Sequence, residues 1–129
     1  SEKPASNDTL SSGEHYFKMN GSQVYKTAID VVPKCIDEIL SKNNCSIDQI
    51  KYLLPHQPSI RILQEVARRV GLPFEKVKTN MDRYANTSGG TIPIILDETL
   101  KENTFETGDL LLFAAVGAGW TWGTALYKW

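Results

Sequence analysis

Apolar positions recur along this chain with two periods, and the periods divide it into elements. Tyr25, Ile29, Val32, Ile36 and Leu40 return at helical spacing with Lys26, Asp30, Lys34 and Asp37 between them, which predicts a helix from Ser22 onward. Pro33 lies inside that run and is expected to kink or restart it, because proline has no N–H and crowds the preceding turn. Ser46-Ile47-Asp48-Gln49 has the form of a capping box and predicts a brief helical turn. Tyr52-Leu53-Leu54-Pro55 reads as a short buried strand. Ser59–Val70 follows as a second helix, with Ile62, Leu63, Val66, Ala67 and Val70 on its apolar face and Gly71-Leu72-Pro73 to stop it.

Shorter signals fill the gaps. His15–Met19 is expected to form a strand ending at the turn Asn20-Gly21, and Val77–Asn80 another. A third helix is predicted from near Ser88–Thr91 to about Glu102. The tail predicts two strands: Leu110–Val116, nearly all apolar, then a return from Trp120 to Trp129 after the tight connection Gly117-Ala118-Gly119. Strands alternating with helices and closed by a hairpin indicate an α/β layer architecture. Residues 1–13 are polar and serine-rich and are read as a linker or arm; residues 14–129 form the folded domain.

The third helix carries a further message. Ile92, Pro93, Ile94, Ile95 and Leu96 are consecutive, so its first half is apolar all round and calls for cover on every side. A domain of 129 residues covers one face or two. The chain is therefore expected to be half of a larger body.

Composition narrows the partners. Fourteen basic residues stand against fifteen acidic, a net charge of -1, which argues against nucleic acid or an anionic membrane as the main partner. No apolar run approaches a transmembrane length, and a cytoplasmic, reducing location is the expectation. Two cysteines, Cys35 and Cys45, are too few for a disulfide framework and have no companions for a metal site. Neither sits beside a histidine or at a strand-to-helix elbow, so neither reads as a nucleophile.

Three segments set polar or glycine-rich groups just after apolar runs: Pro55-His56-Gln57-Pro58-Ser59, Tyr84-Ala85-Asn86-Thr87-Ser88-Gly89-Gly90 and Val116-Gly117-Ala118-Gly119-Trp120. In open α/β sheets, sites form at the carboxyl ends of strands, where the first of these lies. Each has a structural account when taken alone. His56 could be a satisfied histidine at a strand end, Asn86 a turn or cap residue, and Gly117 and Gly119 the makings of a hairpin turn.

Taken together, PHQ-x-x-x-RIL, NTSGGTIP and GAGWTWG, in that order, resemble the C-terminal half of the β-ketoacyl-acyl-carrier-protein synthase III family. That family shows runs such as PHQAN-x-RI, GNTSAASIP and GGGFTWG. Thirty positions separate His56 from Asn86, which suits the family, and the likeness covers nearly everything after residue 14. It implies the C-terminal half of a thiolase-like fold, with a mixed β-sheet, helices on both faces and a C-terminal β-hairpin.

The resemblance also implies a reaction. A cysteine in an N-terminal half, absent from this chain, takes an acyl group as a thioester. His56 and Asn86 hydrogen-bond the thioester carbonyl of a malonyl-type extender and stabilise its enolate as carbon dioxide leaves. The backbone N–H of Ala118 supplies part of an oxyanion hole, with Gln57, Ser59, Gly117 and Gly119 shaping the site. Arg61 and Lys26 match positions that dock an acidic carrier protein or coenzyme A phosphates, with Arg68 and Arg69 as weaker candidates. No cofactor or metal is implied; coenzyme A or phosphopantetheine thioesters are substrates, and the partners are the N-terminal half, the carrier or acyl-coenzyme A, and a second copy in a homodimer.

Three departures from the family runs bear on substrate choice more than on reaction class. Ser59, preceded by Pro58, stands where the family has Asn; Ala85 precedes Asn86 in place of Gly; and Ala118 is the centre of the glycine turn. Two other readings remain open on the same scaffold: a partner subunit that has lost its nucleophile, and an acyltransferase or two-chain condensing relative. Because a histidine alone could act as a general base, the motifs do not separate condensation from simple transfer.

Overall fold

Leu53 and Leu54 are neighbours on one strand, and each is buried in a different core. Side chains alternate across a strand, so this pair places packed layers on both faces of a sheet. In the computed structural model, which describes residues 3–102 and 104–129, that strand is β1 (Ile50–Pro55). It pairs in parallel with β2 (Leu110–Gly117), which pairs antiparallel with β3 (Thr121–Lys128), giving a mixed three-stranded sheet in the order β1-β2-β3.

Helices cover the two faces unequally. On one side lie α2 (Gly21–Lys42) and α3 (Ile60–Val70), whose Ala28, Ile36, Ile62, Leu63 and Val66 pack with Leu53, Leu112 and Ala114. On the other, α5 (Thr91–Lys101) buries Ile95 against Leu54 and Leu111, with Tyr52, Leu96, Phe105 and Phe113 half-buried around them. Each large aliphatic fully removed from water contributes roughly 1.5–3 kcal/mol, so the first face is the main stabilising layer. Two short helices complete the set, α1 (Asn7–Ser11) and α4 (Met81–Tyr84).

Most of the predicted elements stand where the pattern put them. Ser59 caps α3, Gly71 ends it at a left-handed φ of 74°, and the capping box at Ser46–Gln49 forms. Three expectations are corrected. His15–Met19 is turn and irregular chain rather than strand; Asn20 caps α2 by accepting from the Gln23 N–H at 3.1 Å, so the signal read there as a turn is a helix start. Val77–Asn80 contributes only one bridge, Leu53 to Val77, and no strand. Pro33 neither kinks α2 into two elements nor restarts it, for α2 runs unbroken over 22 residues.

The polar arm also differs from its reading. Ser1 and Glu2 lie outside the described residues, but Ser6 and Thr9 form a capping box that starts α1 within it, without burying any residue of that helix.

The sheet is unfinished on one side. β3 pairs only with β2 among the described residues, and Trp122, Tyr127 and Trp129 along or just beyond it are exposed. On α5, Ile92 and Ile94 are half-buried and Pro93 exposed. This is the incomplete cover that the run of apolar residues predicted.

Candidate active site

The carboxyl ends of β1 and β2 lie at the same edge of the sheet because the two strands are parallel. His56 extends their ladder by one bond, its N–H donating to the Ala114 carbonyl at 2.8 Å, and so stands at the rim. Beyond that rim is an open concavity lined by His56, Ser59, Asn86, Thr91, Gly117, Ala118 and Gly119 together with the first residues of α2. The amino ends of α2, α3 and α5 all reach it, and the partial positive charge of three helix starts favours negative charge there.

Asn86 is held by its own loop. Ala85 adopts φ 54°, ψ -149°, a region that L-residues other than glycine enter at a cost, and Ser88 sits at φ 53°. Between these bends, Asn86 Oδ1 accepts the Ser88 N–H at 2.9 Å. With its oxygen engaged, the amide has its Nδ2 left to donate. The loop is tied to α5 from behind: Asn80 Nδ2 donates to Glu98 at 2.7 Å, and Arg83 forms a fork on the same carboxylate.

His56 is anchored beside the same residue, Ser88. Its Nδ1 lies 2.7 Å from Thr91 Oγ1, and that oxygen lies 3.0 Å from the Ser88 carbonyl oxygen. Burial lowers the imidazole's pKa below its ordinary 6.5, offset in part by the Ser88 carbonyl, so the ring is neutral at pH 7. Thus Ser88 holds Asn86 through its N–H, and its C=O accepts the backbone N–H of Thr91, the residue beside His56.

Gln57 plays a different part from its neighbour. It is fully buried and turned away from the concavity, donating to the carbonyls of Pro55 and Lys78 and accepting the Asn80 N–H. It braces the strand end to the segment leading into the Asn86 loop. The hairpin turn that also lines the concavity is Ala118-Gly119-Trp120, with Gly119 at φ 77° and Trp120 at φ 54°. Arg61 and Lys26 are exposed on α3 and α2, outside the lining of the concavity. Arg68 and Arg69 are both engaged with Glu65, and Arg69 also with Asp30.

Neither cysteine lines the concavity among the described residues, and burial, then Glu38, pushes the Cys35 thiol up. No cluster of three His, Cys, Asp or Glu with metal-binding placement occurs among the described residues. No helix among them is long and apolar enough to cross a membrane. Thr91 and the Ser88 peptide escaped the sequence reading. The signal available was Thr91 itself, a hydroxyl directly after Gly89-Gly90 at a helix start.

Residues 40–129 match the family described as 3-Oxoacyl-[acyl-carrier-protein (ACP)] synthase III C terminal. The chain belongs to that family. It is 44% identical over 127 residues to the β-ketoacyl-[acyl-carrier-protein] synthase III of Porphyromonas gingivalis, covering 98% of this chain and 37% of that protein. Against the Symbiobacterium thermophilum synthase III it is 40% identical over 129 residues, or 39% of that protein. The crystal structure of the Aquifex aeolicus 3-oxoacyl-[acyl-carrier-protein] synthase III superposes with a TM-score of 0.86 at 36% identity, over 88% of this chain and 37% of the other. The chain therefore spans less than two fifths of these three synthase III relatives, and its mixed sheet with helices on both faces is their thiolase-like fold.

Proposed function

We propose that the complete protein is a 3-oxoacyl-ACP synthase III-type acyltransferase, performing decarboxylative Claisen condensation of an acyl thioester with a malonyl-type thioester in fatty acid or related polyketide synthesis. The observation that carries this reading is Ser88, whose N–H binds Asn86 and whose C=O accepts the Thr91 N–H, setting Asn86 and the His56–Thr91 pair on the lining of one concavity. Two neutral groups fixed side by side suit an oxygen that becomes negative as carbon dioxide departs, since prealigned donors need no reorganisation when charge develops. The Ala118 N–H, across the concavity, completes the oxyanion hole for the acyl carbonyl. The three helix starts add to the same field.

The reading includes an N-terminal half bearing the cysteine nucleophile. In support, the face of α5 and the margin of β3 expose apolar residues that call for a covering layer. The substrates are carried on acyl-carrier phosphopantetheine or coenzyme A, Arg61 and Lys26 docking the acidic carrier. The complete protein works as a cytoplasmic homodimer without a further cofactor.

The test separates the two halves of the reaction. In the complete protein, His56→Ala and Asn86→Ala each reduce condensation on the order of a hundredfold or more, while acylation of the cysteine persists. Mass spectrometry of the acylated enzyme, alongside product formation from the malonyl thioester, reads both steps. Normal condensation by His56→Ala, or acylation and turnover on Cys35 or Cys45 in this chain alone, overturns the reading.

A further inference from the structure

His56 is useful to an enolate only if its outward nitrogen carries a proton, and in a neutral imidazole only one of the two nitrogens does. The tautomer is set by whatever faces the inner nitrogen. Here that partner is Thr91, buried at the first position of α5, with Oγ1 at 2.7 Å from Nδ1.

The Thr91 hydroxyl has one proton and two acceptors in reach, Nδ1 at 2.7 Å and the Ser88 carbonyl at 3.0 Å. That carbonyl already accepts the backbone N–H of Thr91, and Ser88 is exposed, so water can reach it as well. An unprotonated Nδ1, on the inner side of a half-buried ring, has the Thr91 hydroxyl as its donor at the shorter distance, while the Ser88 carbonyl beside it can only accept. The proton therefore goes where it is needed more. From this we infer that Thr91 is a positioning residue that donates to His56 Nδ1 and so keeps the proton on Nε2, facing the concavity. Without that hydroxyl, the Ser88 carbonyl beside the ring would draw the proton to Nδ1 and leave Nε2 bare.

The inference deepens the condensation reading and rests on it for its functional consequence, while its structural content can be tested alone. The complete protein, labelled with 15N-histidine, is measured above pH 7, where the ring is neutral. The His56 signals should show a protonated Nε2 and an unprotonated Nδ1. Thr91→Val, which keeps the shape and removes the hydroxyl, should shift the population to the Nδ1–H tautomer; Thr91→Ser should restore the original pattern. In the same proteins, Thr91→Val should lower kcat for condensation on the order of a hundredfold with KM nearly unchanged, and Thr91→Ser should recover most of it.

A wild-type ring protonated on Nδ1, or a tautomer that ignores Thr91→Val, overturns the assignment of Thr91. If the tautomer flips in Thr91→Val but kcat does not fall, the assignment stands and the donor role given to His56 is what fails. Were Thr91→Val to unfold, Thr91→Ser and Thr91→Cys still decide the matter, since a thiol donates far more weakly than a hydroxyl. A cysteine variant that is folded yet indistinguishable in tautomer from wild type would overturn the proposal too.

Discussion

Arg69 Nη1 donates to the carbonyl of Ile29 at 2.8 Å, across forty positions of sequence. That carbonyl is the one Pro33 leaves without a partner, because the residue four places on has no N–H to offer. The guanidinium replaces the missing rung, and α2 runs unbroken through its proline. Arg69→Met should therefore lower the unfolding midpoint, and the loss should shrink in a Pro33→Ala background, where an N–H returns to Ile29. A double-mutant cycle by chemical unfolding measures this coupling; additive losses would detach Arg69 from the proline.

Ala85 precedes Asn86 at φ 54°, ψ -149°, where a β-carbon is strained. Ala85→Gly should stabilise the protein by about 1 kcal/mol, the relief outweighing the added freedom of the unfolded chain. Urea unfolding with an unchanged m-value would register it. The same substitution should leave the Asn86–Ser88 bond in place, since that bond depends on Asn86 and not on the side chain before it.

Two groups make stability depend on pH in separate windows. His56 has its pKa lowered, so below 6.5 the unfolded chain binds a proton that the folded chain resists, and stability falls as pH drops through that range. Glu65 is held down to about 2 by hydrogen bonds from Arg68 and then Arg69, so its contribution is complete above 4.5 and fades as pH falls towards 2. Thermal midpoints across pH should lose the upper slope in His56→Asn and the lower one in Glu65→Gln. Added salt should flatten the second more than the first, because the Glu65 pairs lie at the surface.

Arg61, to which the proposed function gives carrier docking, stands exposed at the start of α3, outside the concavity. In the complete protein, Arg61→Glu should raise KM for a carrier-linked substrate more than it lowers kcat, since docking holds ground state and transition state alike. Steady-state kinetics at low and moderate salt provide the check. A KM that stays constant across both would remove Arg61 from the docking surface.

What the sequence made legible was local. Ser59 and Gly71 bracket α3 with a cap and a left-handed stop, and the Ser46–Gln49 box announces itself within four residues. The unbroken apolar run Leu110–Val116 reports a strand covered on two sides, and the structure supplies both layers. What stayed hidden depends on distant partners. Nothing near Pro33 points to Arg69, and nothing near His56 points to Thr91, thirty-five positions on. His15–Met19 misled through its adjacent Tyr16 and Phe17, which have no neighbouring strand to pair with among the described residues. At the site, the three motifs named the residues, but only the folded loop shows that Gln57 turns inward as a brace while Asn86 turns its amide outward.

Ser88 acts as a caliper. Its N–H and C=O lie on two successive peptide planes joined at one α-carbon: the N–H holds Asn86 Oδ1, and the C=O accepts the backbone N–H of Thr91, whose hydroxyl lies 2.7 Å from His56 Nδ1. A swing of the loop that displaced Asn86 would carry the anchor of His56 with it, so the gap between them is preserved even when their shared position drifts. Under the proposed reaction, a change in the accepted group that keeps that gap falls to other lining residues such as Ala118 or Trp120, while lengthening the loop between Ala85 and Thr91 would displace both proposed donors at once.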